Sequence, residues 1–274
     1  MALGVGRGDE VAVPSFGFSS IANAVLLRGG VPVFVDIEDT DLCIEPWAIV
    51  NSHARFCIPI HYAGVHRLPA IGVKWVEDAA HCVGSSWRLR GDFGAISFHQ
   101  TKNVSCGEGG ALFIRDPEMV EKVQVLRQCG TTKALVKNAW DWVSIGTQAL
   151  MSEVCAEYLK TQLERCDEIT KRRLEVWHVY RDRIQAKERA CHAGNGHIFW
   201  FLHAERQRVI DSLPGIRLTT HYTPLHSRAP GREHGRVHGS CDVSTRVAAQ
   251  ILRPPMNVTP DEAERISNLI NEVL

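Results

Sequence analysis

Three short apolar runs rich in β-branched residues open the chain: Val11-Ala-Val-Pro14, Val31-Pro-Val-Phe-Val-Asp36 and Phe56-Cys-Ile-Pro-Ile-His61. Each reads as a buried strand, and Val73 to Glu77, Ala95 to Phe98 and Ala111 to Ile114 read the same way. The segments between them are helical or loop-like. Strands alternating with such connections predict an α/β layer with a mostly parallel sheet, whose ligands collect at the carboxyl ends of the strands. From Met151 to Gln185 the pattern changes to charged residues (Glu153, Glu157, Lys160, Glu164, Lys171-Arg-Arg173) with apolar positions at helical spacing. This predicts a helical bridge, dividing the chain into a large domain, 1–150, and a smaller α+β domain, 151–274. The second part holds a predicted strand, His197-Ile-Phe-Trp-Phe-Leu202, a Gly/Pro/His/Arg-rich loop from His221 to Cys241, and a closing helix. Pro260-Asp-Glu-Ala starts that helix, because proline suits the first turn and acids suit its positive end.

Composition narrows the partners. Lysine plus arginine (31) balances aspartate plus glutamate (31), so no whole-molecule field favours nucleic acid or an anionic membrane. No stretch approaches the roughly 20 apolar residues of a membrane helix, and Met1 to Glu10 lacks the order of a secretory signal, which predicts a cytoplasmic chain. Nine cysteines without regular spacing read as reduced packing residues.

Gly4, Gly6 and Gly8 precede the first strand instead of following it, so they read as a turn and not as a dinucleotide fingerprint. In Val76-Glu-Asp-Ala-Ala-His81 an acidic pair ends a predicted strand, and Asp78 there is either a ligand-facing carboxylate or a helix cap. Ser97-Phe-His-Gln-Thr-Lys-Asn103, followed by Gly107-Glu-Gly-Gly110, places Lys102 in a glycine-flanked loop between two strands. Alone, Lys102 reads as a solvated surface lysine. Paired with Asp78 it could serve pyridoxal phosphate, which needs an amine for the imine and an acid to keep the pyridine nitrogen protonated. His221, His226, His234 and His238 are irregularly spaced and lack carboxylates, so no metal site is predicted. Arg228, Arg232 and Arg236 read either as pyrophosphate contacts or as a solvated basic loop.

Val13 to Ile37, the His61-Tyr-Ala-Gly64 turn, Val76 to His81, Ser97 to Asn103, Gly107 to Phe113 and His221-Tyr-Thr-Pro-Leu-His226 occur in the order found in the DegT/StrS family of nucleotide-sugar aminotransferases, which the chain resembles over nearly its whole length. The resemblance implies an aspartate-aminotransferase-like fold (fold type I), pyridoxal 5'-phosphate as cofactor and a homodimer. It makes Lys102 the Schiff-base lysine and proton shuttle, and Asp78 the partner of the pyridine nitrogen. His81 would lie by the ring hydroxyl, Phe18 would stack on the ring and Ser97 would bind the phosphate, although Phe18 alone reads equally as core and His81 as a loop residue. His221, Tyr222 and His226 are the implied substrate-binding residues. The implied reaction moves an amine from a donor such as glutamate to a dTDP-linked 4-keto-6-deoxy sugar, for polysaccharide biosynthesis. A lysine at position 102 favours transamination over the family's dehydratase branch, which carries histidine there.

Relatives carry several dozen residues before the position of Leu3, including a phosphate-gripping turn, so a shortened, catalytically impaired paralogue acting as a dimer partner is the alternative. The connections between Pro46 and Trp75, including Leu68-Pro-Ala-Ile71, are contracted. Where relatives place an asparagine that reaches the partner subunit's cofactor, Gly146-Thr-Gln-Ala presents Thr147 and Gln148.

Overall fold

The computed structural model describes residues 1–66, 72–136 and 140–274, so Leu68 to Ile71 lie outside the described residues. Strands β1 (Glu10–Pro14), β2 (Val31–Val35), β4 (Lys74–Asp78), β5 (Phe93–Ser97) and β6 (Gly110–Ile114) follow the predicted runs, whereas β3 (Phe56–Cys57) keeps only the first two residues of the run predicted to His61. Helices α1 (Ser20–Leu26) and α2 (Pro46–Asn51) are short, and α3 (Met119–Arg127) follows β6. With β8 (Arg236–Val237) these strands form one sheet in the order β6-β5-β4-β3-β1-β2-β8. Every neighbouring pair is parallel except β5 with β6.

Burial on both faces explains why the strands lack an alternating pattern. Val11, Val13 and Phe34 pack into the largest core, whereas Ala12, Val35 and Cys57 face Ile44 and Ile49 on the other side. The predicted helical bridge is two helices, α4 (Glu153–Glu164) and α5 (Cys166–Arg183), because Arg165 leaves helical geometry at φ −99°, ψ 9°. Trp177 and Tyr180 of α5 bury against Phe199 and join the large core.

The second part also contains β7 (Phe201–Leu202), paired antiparallel with β9 (Ile251–Leu252), and helices α6 (Arg206–Ser212), α7 (Ala229–His234), α8 (Asp242–Gln250) and α9 (Pro260–Asn271). The predicted strand from His197 is therefore reduced to Phe201 and Leu202. The late loop is not wholly irregular: it holds α7, and β8 returns to the large sheet beside β2, so the sheet draws on residues from both sides of position 150. All nine cysteines are free, and Cys43, Cys57, Cys82, Cys106 and Cys241 are buried. Among the described residues no helix is long and apolar enough to cross a membrane.

Candidate active site

The chain runs from β1 to β2 on one side and then to β3 on the other, so the sheet changes direction between β1 and β3. At such a point the loops leaving adjacent strands part and open a crevice. Phe16 and Phe18 follow β1, the His61–Gly64 turn follows β3, Asp78 ends β4, and Ser97 ends β5 with Lys102 in the loop beyond. All of them therefore sit on the carboxyl side of the sheet.

The β3 turn is closely packed. Gly64 has φ +79°, and a Cβ there would come within 2.8 Å of Asn195 Oδ1 and 3.0 Å of the His81 carbonyl oxygen. Asn195 uses its amide to donate to the carbonyls of His81 (2.8 Å) and Val83 (2.5 Å). A residue from the second half of the chain thus ties down the loop after β4.

His81, Ser97, Lys102, Asn103, Asn195 and His197 line a shallow, open cleft. Lys102 is half-buried, and burial pushes its ammonium pKa down; Asp78's charge opposes this and Arg253's reinforces it. Burial pushes the Asp78 carboxyl up, against the Ala80 N–H donated to Oδ1 at 3.0 Å and the charge of Lys102. Each group feels the other, yet among the described residues they form no ion pair. His81 Nδ1 accepts the Ala63 N–H at 3.2 Å, so a neutral ring carries its proton on Nε2. Burial, then the neighbouring cations and histidines, holds His81 and His197 well below the ordinary histidine range, keeping both neutral. Their rings lie 4.6 Å apart, and His197 Nδ1 is 2.8 Å from Asn103 Oδ1, which fixes the residue beside the lysine.

Aromatic side chains pack against His81 and extend from it. Tyr62 stands 5.9 Å from His81 and 6.2 Å from Tyr222, centroid to centroid, and Tyr222 stacks on His221 at 4.1 Å. Phe18 is 61% exposed and 6.3 Å from Tyr222, so it is not core but an uncovered ring. His226 lies to one side, its Nδ1 2.6 Å from Ser15 Oγ just beyond β1. Gln148 is exposed on an arm after α3, bridged to Gln128 and accepting from Cys129 Sγ at 3.2 Å, so it does not join the Lys102 cleft of its own chain. Arg236 is committed to a two-pronged ion pair with Glu10 (2.5 and 2.7 Å), and Arg232 donates to the Ser227 carbonyl. Among the described residues no group of histidine, cysteine and acid side chains is arranged to hold a metal.

Sequence reading missed Tyr62, Asn103, Asn195, His197 and Arg253. Asn103 could have been found from its place beside Lys102. The others arrive by tertiary packing from loops whose glycines and histidines resemble any surface turn.

The residues present fit a pyridoxal ring: Lys102 and His81, an amine with no ion pair among the described residues and an imidazole with a fixed N–H, line the cleft; the Asp78 carboxylate feels the charge of Lys102, and the exposed Phe18 ring follows β1 on the same side of the sheet. The chain is similar to several known proteins. The spore coat polysaccharide biosynthesis protein SpsC of Bacillus subtilis is 35% identical over 211 residues, 67% of this chain and 53% of that protein, so the match spans about half its length. The crystal structure of Streptomyces venezuelae DesV in complex with a ketimine intermediate superposes with a TM-score of 0.87 at 26% identity, covering 99% of this chain and 80% of the other. The aminotransferase TlmJ from Streptoalloteichus hindustanus gives 0.85 at 27% identity, with coverage of 99% and 80%. The fold is that of the aspartate-aminotransferase-like, fold type I enzymes. A family profile matches residues 1–271, and the chain belongs to the DegT/DnrJ/EryC1/StrS aminotransferase family.

Proposed function

We propose that the chain is a pyridoxal-phosphate-dependent aminotransferase of nucleotide-linked sugars, with an amino acid such as glutamate as donor and a dTDP-linked 4-keto-6-deoxy sugar as acceptor. The observation that carries this reading is the half-buried Lys102, which lines the cleft, has no ion pair among the described residues and lies within electrostatic reach of the buried Asp78 carboxyl. Family membership supports the reaction class, and SpsC, named for spore coat polysaccharide biosynthesis, supports a role in sugar chemistry.

When bound, the cofactor supplies an electron sink for the bond broken at the substrate carbon. Asp78 would keep the proton on the pyridine nitrogen. His81, its Nδ1 occupied by the Ala63 N–H, has Nε2–H left to donate and would offer it to the ring hydroxyl. Ser97 would hold the phosphate, and Phe18 would cover one ring face. Lys102 would hold the cofactor through its amine and move the proton between substrate carbon and nitrogen. Burial favours its neutral, nucleophilic form. His221, Tyr222 and His226 lie on the substrate side. Gln148 serves the partner's site in a homodimer.

The test is an absorbance spectrum of the purified chain with pyridoxal phosphate, before and after borohydride. A reducible band present in the chain and abolished in Lys102→Ala is expected. A folded chain without that band overturns the reading and leaves a non-catalytic dimer partner.

A further inference from the structure

Arg253 follows β9 and is held by reciprocal backbone hydrogen bonds with Thr219 (3.0 and 2.9 Å). Its guanidinium meets His221 Nε2, and the other nitrogen of that ring lies 3.2 Å from the Tyr62 hydroxyl. Arginine has only donors, so Nε2 is the acceptor; a neutral ring then carries its proton on Nδ1 and donates to the Tyr62 oxygen. Burial, with the charge of Arg253, lowers the His221 pKa to about 2, so the ring stays neutral.

Two donors are left over. The Tyr62 O–H has no acceptor among the described residues, and Arg253 Nε is buried with no hydrogen-bond partner. No carboxylate pairs with this guanidinium among the described residues; its neighbour is a neutral imidazole. An uncompensated buried cation is costly, and a planar guanidinium edge matches an oxyanion. The pair stands beside the cofactor cleft, since Tyr62 packs on His81, which lines it.

We propose that Arg253 and the Tyr62 hydroxyl, aligned by His221, form a cradle for the α-carboxylate of the amino-acid donor. This rests on the aminotransferase reading. A donor's carboxylate is one carbon from the amine that reacts at Lys102, so it must bind beside the cleft. A nucleotide pyrophosphate is separated from the keto carbon by much of the sugar ring.

The test is calorimetric titration of the full chain, without added cofactor, with 2-oxoglutarate and separately with inorganic phosphate. Arg253→Gln should weaken 2-oxoglutarate binding about 10- to 100-fold, as expected for a charge-assisted pair. Tyr62→Phe, which removes one oxygen, should weaken it less, and melting curves confirm that both variants are folded. Equal binding by the chain and both folded variants, or no binding by the unaltered chain, overturns the proposal. Loss of phosphate binding with 2-oxoglutarate unaffected also overturns it, because the site then belongs to a phosphate. Failure of the aminotransferase reading shows separately, as a missing reducible band.

Discussion

Glu77 and Asp78 are neighbours on β4, and alternation along a strand turns them to opposite faces of the sheet. Asp78 keeps one backbone donor and feels the charge of Lys102. Glu77 is fully buried and accepts four hydrogen bonds: from His61 Nε2 (2.8 Å), Trp87 Nε1 (2.5 Å), the Arg90 N–H (2.6 Å) and the Gly91 N–H. Burial alone would raise its pKa, but these donors overcome it and bring the carboxyl down to about 2. A depressed carboxylate stabilises the fold at pH values above its unfolded pKa and loses that contribution as pH falls toward the folded value. The shift corresponds to about 3 kcal/mol. Glu77→Gln should therefore lower stability most at neutral pH, and its melting curve should approach that of the unaltered chain as pH falls below about 4. A gap independent of pH would show that hydrogen-bond geometry alone, and not the charge, holds this corner of the site. At this scale the sequence was informative where chemistry lies within one segment. Lys102 with Ser97, and Asp78 with His81, are each a few residues apart. Arg253 was illegible because its meaning depends on His221 and Tyr62, which only the fold brings to it.

Among the elements, α9 has the clearest local signals. Thr259 Oγ accepts the Glu262 N–H at 3.2 Å and the Glu262 carboxylate accepts the Thr259 N–H at 3.0 Å, closing a capping box ahead of Pro260. Ala263, Ile266 and Ile270 then bury one face of the helix. Thr259→Ala should cost about 1 kcal/mol, seen as a fall of about 2 °C in the melting temperature. No fall would mean that packing of the buried face alone starts the helix. The closing helix was readable because its start and its apolar spacing agree. The interruption at Arg165 was not: neither glycine nor proline marks it, and the weak helix formers Cys166 and Asp167 are too few to signal a break by themselves. Strand β8 escaped for a different reason, since Arg236 and Val237 are too few to show a period.

For the whole molecule, the arm after α3 leaves Trp140, Trp142, Val143 and Ile145 exposed, with Trp142 at 76% and Ile145 at 71%. Val154 and Tyr158 on α4 are exposed as well. Apolar surface concentrated in this way marks an association face, and Gln148 lies on the same arm, as the proposed homodimer requires. Trp142→Glu combined with Ile145→Asp should convert a sedimenting dimer to monomer while leaving the far-ultraviolet dichroism intact. A monomeric unaltered chain, or a dimer indifferent to both changes, would reject this face.

The return of β8 to the sheet also shapes how the protein is made. Arg236 joins Glu10 across 226 positions, so the outer edge of β2 gains its neighbour only after some two hundred further residues have left the ribosome. Until then the nascent sheet offers a row of open backbone groups to any passing strand. The pairing of β8 with β2, clasped by Arg236 and Glu10, covers that edge.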